Sequence, residues 1–220
     1  VILYFVVTAL YGAVAMLIWP EEYRERSSLN HSLSFLVTDA ANIGLVIYLI
    51  WRSAESWSGF GLVPPRWLMD TLLGLAFWGT AWAIHGASWR VVDGLFGPDL
   101  FETANHDDAW FVPTPNGIVA VVAFVFSVCV SAFAEELVMR AYLVPRFERL
   151  LGSSTRSIFV TAGLFASFHI YQGIDGAVSA FIMGLVYGTM FLWSRRLWPV
   201  AVAHSISNLL VFWSSFAERV

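Results

Sequence analysis

The chain contains no lysine: its 12 basic residues are all arginine, which removes any lysine nucleophile from consideration. Charge of either sign is scarce. Only 13% of the 220 residues are Asp, Glu, Lys or Arg, where a soluble domain of this size carries about a quarter. The net charge is −4 and no basic cluster occurs, so no nucleic-acid partner is expected. A single cysteine, Cys129 in "FSVCVSAF", excludes an intrachain disulfide, and its apolar neighbours mark a buried, inert thiol. There is no low-complexity tract and no internal repeat, and the missing repeat argues against an inverted-repeat carrier.

What the chain has in quantity is hydrophobic residues, 58% of the total, at a mean hydropathy of +0.69. This is the composition of an integral membrane protein. A span needs about 20 mostly apolar residues. Stretches of that kind fall at roughly 1–19, 33–51, 67–85, 117–144, 156–172, 175–194 and 198–216. The expected fold is therefore all-α: a single polytopic membrane domain over 1–220, a helical bundle with about seven transmembrane helices. Tryptophans at 19, 51, 57, 67, 110, 193, 198 and 213 gather near the span ends, as interface anchors do. Residues 86–116 hold one arginine against five carboxylates and read as an acidic, solvated loop, with its "NHDD" at 105–108 solvated as well. The chain opens on "VILYFVV" without methionine, a run too long and too aromatic for a signal peptide, and further residues upstream are expected. Arg52, Arg66, Arg146, Arg149, Arg156, Arg195 and Arg196 fall on one side of seven alternating spans, against Arg24, Arg26, Arg90 and Arg219 on the other. The richer side is expected to be cytoplasmic.

Ionisable groups inside spans are costly and usually functional. The C-terminal half carries Glu135, Glu136 and Arg140 on the fourth span, His169 on the fifth, and His204 with Asn208 on the seventh. Glu136 and Arg140 are four apart and share a helix face, where they can neutralise each other. Glu135 is turned by about 100° from Glu136 and is the carboxylate left over. His204 and Asn208 also share a face. At about 1.5 Å per residue, Glu135 lies roughly 16 Å from its span end, His169 roughly 20 Å, and His204 and Asn208 roughly 9–15 Å. One membrane layer can thus hold all four. A glutamate in an apolar pocket suits a general base. His169 can orient the same water or shuttle its proton, and His204 with Asn208 can hydrogen-bond an oxygen that becomes negative during attack on a carbonyl. Asp39, Asn42, Asp70 and His85, scattered over the second and third spans, read as structural or water-exposed.

These residues fall into three motifs in order: "EELVMR" fits EExxxR, "FASFH" fits FxxxH and "HSISN" fits HxxxN. The pattern over about 115–216 resembles the CPBP family, which contains the CAAX proteases and bacteriocin-processing (Abi) enzymes; residues 1–114 carry no motif. The resemblance implies an intramembrane glutamic endopeptidase. Glu135 would activate water with His169, His204 and Asn208 would form the oxyanion site, and Glu136 and Arg140 would support them. Its substrate would be a membrane-associated or lipidated peptide or protein, cut within the lipid of a membrane. The lysine-free, compact chain suggests a prokaryotic cell membrane, with the site open toward the cytoplasmic half.

No cofactor is expected on this reading. A rival is a metal-dependent protease in which Glu135, His169 and His204 supply a His₂Glu set for zinc with an open position for water, although no HExxH is present. Two other classes stay open: a transporter using the same groups as a relay, and a non-catalytic immunity or scaffold protein that binds a peptide without cutting it.

Overall fold

The computed structural model describes residues 27–97 and 114–217, which form helices and turns with no strand among them. Helix α1 runs Ser28–Arg52, and α2 runs Trp67–Phe96 after a short 3₁₀ turn at Trp57–Phe60. Helix α3, Ile118–Glu136, continues through a π-helical segment, Leu137–Leu143, into α4, Val144–Leu151. Then come α5, Ser154–Phe168, a 3₁₀ turn at Ile170–Gln172, α6, Gly173–Ser194, and α7, Leu197–Ala217.

Local chemistry sets these boundaries. The Ser27 and Ser153 hydroxyls cap α1 and α5 by accepting from the backbone N–H of Asn30 and Arg156, each at 3.3 Å. The Asp70 carboxylate reaches back to the Arg66 N–H at 2.7 Å and so closes the start of α2. Gly152 ends α4 in the left-handed region, at φ 63°. Pro145 has no N–H to offer the carbonyls one turn upstream, and the widened π turn lies directly before it.

Among the described residues, four helical stretches are long and apolar enough to cross a membrane: Ser28–Arg52, Ile118–Leu151, Ile170–Ser194 and Leu197–Ser214. The expected span at 1–19 lies outside the described residues, as do "NHDD" and the rest of 98–113. The expected span at 67–85 is a helix of 30 residues but is not apolar enough to join the four. It also runs on to Phe96, so 86–96 is helix and not the loop that its acidity suggests. The expected span at 156–172 is a helix of 15 residues, about 22 Å long against a hydrocarbon core of about 30 Å.

The π segment lies at the middle of the bundle and touches α1, α4, α5, α6 and α7. Helix α3 packs on α1 and α7, α2 on α6 and α7, and α5 on α6. The α5–α6 contact is close because α6 presents Gly184 and Gly188. A Cβ at Gly184 would lie 3.0 Å from the Ala162 Cα, and one at Gly188 would lie 3.0 Å from Ile158. Small residues one turn apart let membrane helices approach in this way.

At one end the connections are tied together. Arg196 grips Asp70 with Nε–Oδ1 and Nη2–Oδ2 contacts of 2.7 Å each, Leu197 N–H donates to the Gly61 carbonyl at 3.0 Å, and Trp198 Nε1 donates to the Val63 carbonyl at 2.9 Å. Glu55 pairs with both Arg146 and Arg149. The arginine-rich connections thus meet on one side of the bundle.

Two outcomes follow. Gly184→Leu should destabilise the detergent-solubilised protein by about 1–3 kcal/mol through overpacking, whereas Gly163→Ala, where a Cβ meets nothing within 4 Å, should be neutral or slightly stabilising; thermal melts decide. The Arg146 hydrogen bond, with Arg149 behind it, holds the Glu55 carboxyl below the usual glutamate range. The contact therefore adds stability above the ordinary glutamate range and loses it as pH falls through the lowered titration. Melting temperatures of the wild type and Glu55→Gln should differ most near neutrality and converge in acid.

Candidate active site

Glu135, His169, His204 and Asn208 line one cavity of 340 Å³ between the helices. Glu135 and Glu136 end α3, and the helical turn sends them different ways. Glu136 is fully buried, while the Glu135 side chain keeps 31% of its surface open. Glu136 Oε1 accepts from Arg140 Nη1 at 2.8 Å and from His204 Nδ1 at 2.7 Å. The Arg140 guanidinium is itself buried, 4.9 Å from the centre of the Phe165 ring and 5.8 Å from that of Tyr187. Its Nη2 reaches the Gly184 carbonyl at 3.5 Å. A buried charge pair of this kind needs such extra partners.

Hydrogen-bond direction fixes which nitrogen of each histidine is available. A carbonyl only accepts, so His169 Nδ1, 2.8 Å from the Phe165 carbonyl, donates. Its Nε2 in the neutral ring is then an acceptor. His204 Nδ1 likewise donates to Glu136, and its Nε2 lies 3.6 Å from Glu135 Oε2. For His204 to donate from Nε2 as well, the ring must hold both protons. This refines the expectation that His204 simply donates: one of its nitrogens is committed to Glu136. His169, expected on the fifth span, stands at its end. It caps the C-terminus of α5 at φ −93° and ψ 6°, and leads into the 3₁₀ turn.

The alternative set of zinc ligands was Glu135, His169 and His204. Among the described residues no group of three His, Cys, Asp or Glu side chains is gathered so that it could hold a metal ion.

Several contributors were not singled out in the sequence. Ser207, between His204 and Asn208 on α7, takes a hydrogen bond from Trp82 Nε1 at 3.0 Å and lies 2.8 Å from the Tyr187 hydroxyl. That joins α2, α6 and α7 behind the site. Ser207 is three residues from His204, a helical spacing that was available as a signal; its long-range partners were not. Asp39, read as structural or water-exposed, is 7% exposed and lies beside Ser131, one turn before Glu135. Asp70 is structural, as expected. His85 lines the cavity wall.

Residues 117–210 match the model of a family described as Type II CAAX prenyl endopeptidase Rce1-like. That segment is similar to this family. It contains all three motifs and the four cavity residues above, and the match implies a CAAX protease-type hydrolase embedded in a membrane. No curated protein and no solved structure gives a significant match.

The Glu136–Arg140 pair makes a stability prediction. Arg140→Met strands a buried carboxylate and should cost about 3–5 kcal/mol. Glu136→Gln together with Arg140→Met should recover much of that loss in thermal melts. Equal losses would mean that Glu136 carries no charge for Arg140 to balance.

Proposed function

We propose that the chain is an intramembrane glutamic endopeptidase that hydrolyses a peptide bond in a membrane-associated, lipidated protein or peptide. The observation that carries this is the shared cavity of Glu135, His169, His204 and Asn208, supplied by α3, the end of α5 and α7. Prenylated CAAX sequences are the first substrate class to test, because the family description names them.

On this reading, water binds between Glu135 and the unprotonated Nε2 of His169. Glu135 takes a proton as the water oxygen attacks the carbonyl carbon. The carbonyl oxygen becomes negative and is met by the Asn208 amide and by Nε2–H of His204. Glu136 holds the other nitrogen of His204 and so fixes the ring's direction. With His204 protonated, Glu135, Glu136, Arg140 and His204 form an electrically neutral group, which lowers the cost of placing them in a membrane. Collapse of the intermediate breaks the C–N bond, and Glu135 returns its proton to the leaving amine. Base, water acceptor and oxyanion donors are all side chains, so the reaction as drawn needs no metal.

The wider placement belongs to the same proposal. The segment 1–19, helix α2 and helix α5 join the four long apolar stretches to give about seven spans. The arginine-rich connections face the cytoplasm, and the membrane is that of a prokaryotic cell.

Glu135→Gln should reduce cleavage of farnesylated CAAX peptides in nanodiscs by about 10²–10⁴-fold, read by mass spectrometry, while the melting temperature stays near that of the wild type. Retained turnover would reject Glu135 as the base. Chelation should leave the rate unchanged; loss restored by zinc would favour the His₂Glu alternative. Binding without any cleavage would favour the scaffold reading.

A further inference from the structure

The same cavity has a second polar pole, built largely from helix α2, which precedes the family-matched segment. Trp82, His85 and Trp89 are spaced three and four apart on α2 and so share a face. His85 and Ser179 of α6 both line the cavity. Trp89 Nε1 lies 3.0 Å from His85 Nε2 and 3.1 Å from Ser179 Oγ, and His85 Nε2 lies 3.1 Å from the same hydroxyl.

This triangle has a definite polarity. An indole N–H can only donate, so His85 Nε2 accepts and the neutral ring carries its proton on Nδ1. Trp89 thereby presents His85 as a donor whose tautomer is fixed, and the Ser179 hydroxyl, which accepts from Trp89, donates to the same Nε2. The ring is half-buried in the cavity wall, where its Nδ1–H can meet an acceptor held in the cavity.

Its position relative to the chemistry can be gauged. Trp82 bonds Ser207, the residue before Asn208. His85 is three residues further along α2, a rise of about 4.5 Å. An extended peptide advances about 3.3 Å per residue. The donor therefore sits about one or two residues along a bound chain from the oxyanion site.

We propose that His85 forms a substrate subsite whose Nδ1–H donates a hydrogen bond to a backbone carbonyl oxygen of the bound peptide, one or two residues from the bond that is cut. The proposal rests on the endopeptidase reading for its substrate and not for its hydrogen bonds. His85 is here a binding residue, and Trp89 a positioning residue that acts through it.

The test uses the full chain in nanodiscs with a quenched-fluorescent farnesylated CAAX peptide, and a matched set in which single backbone amides are replaced by esters, whose carbonyls accept more weakly. His85→Phe should raise KM about fivefold, the worth of one neutral hydrogen bond, with kcat within about twofold. His85→Gln, which keeps a donor, should recover part of the loss, and Trp89→Phe should give a smaller rise. One ester should weaken binding to the parent chain and not to His85→Phe, which identifies the carbonyl. A fall in kcat at constant KM, no recovery with Gln, or equal ester penalties in both chains would overturn the subsite. Binding to the Glu135→Gln chain, read by fluorescence anisotropy, separates the two ideas. Tight binding that His85→Phe weakens, with no cleavage by the wild type, keeps the subsite and overturns only the proposed chemistry. Absence of binding, or binding indifferent to His85→Phe, overturns the subsite.

Discussion

The Glu136 carboxylate is the constraint on which the rest of the site depends. It is fully buried, and a lone charge there would be prohibitively costly. One oxygen receives both Arg140 from the adjoining π segment and His204 from α7. The pairing fixes how α7 faces α3. It also turns the cavity side of His204 toward Glu135 and leaves Glu135, one residue earlier, free to line the cavity.

The π segment gives this arrangement its geometry. A π turn costs helix regularity and is rare outside sites of function. Here it places Arg140 against Glu136, against two aromatic rings and near the Gly184 carbonyl. Gly184 belongs to the same close α5–α6 contact that admits no side chain. Packing and electrostatics therefore meet at one point: the small residue that lets two helices approach also leaves a carbonyl within reach of the buried guanidinium.

Much of this was written in the sequence as spacing. Glu136 and Arg140, four apart, are paired, and His204 and Asn208, four apart, line the same cavity. The all-helical class followed from composition. What spacing left hidden has physical reasons. The end of α5 at Phe168 depends on a backbone turn at His169 that the apolar pattern runs straight through. The continuation of α2 to Phe96 goes against a tally of charge, because a helix tolerates Arg90 and Asp93 on an exposed face. Hydrogen bonds such as Trp82–Ser207, Trp89–Ser179 and His204–Glu136 join residues far apart in the chain, and no local period encodes them.

The cavity wall is of mixed parentage. Glu135, His169, His204 and Asn208 come from the family-matched segment, whereas His31, Ser32, Phe35, Trp82 and His85 come from the two helices before it. Those helices are fastened to the segment by the Asp70–Arg196 grip and by the loop carbonyls that hold Leu197 and Trp198. Exchange of α1 and α2 would therefore redraw the outline of the vestibule while the groups around Glu136 stayed put. If the proposed cleavage is what the cavity performs, the capacity to cut and the choice of what is cut can drift independently over evolutionary time.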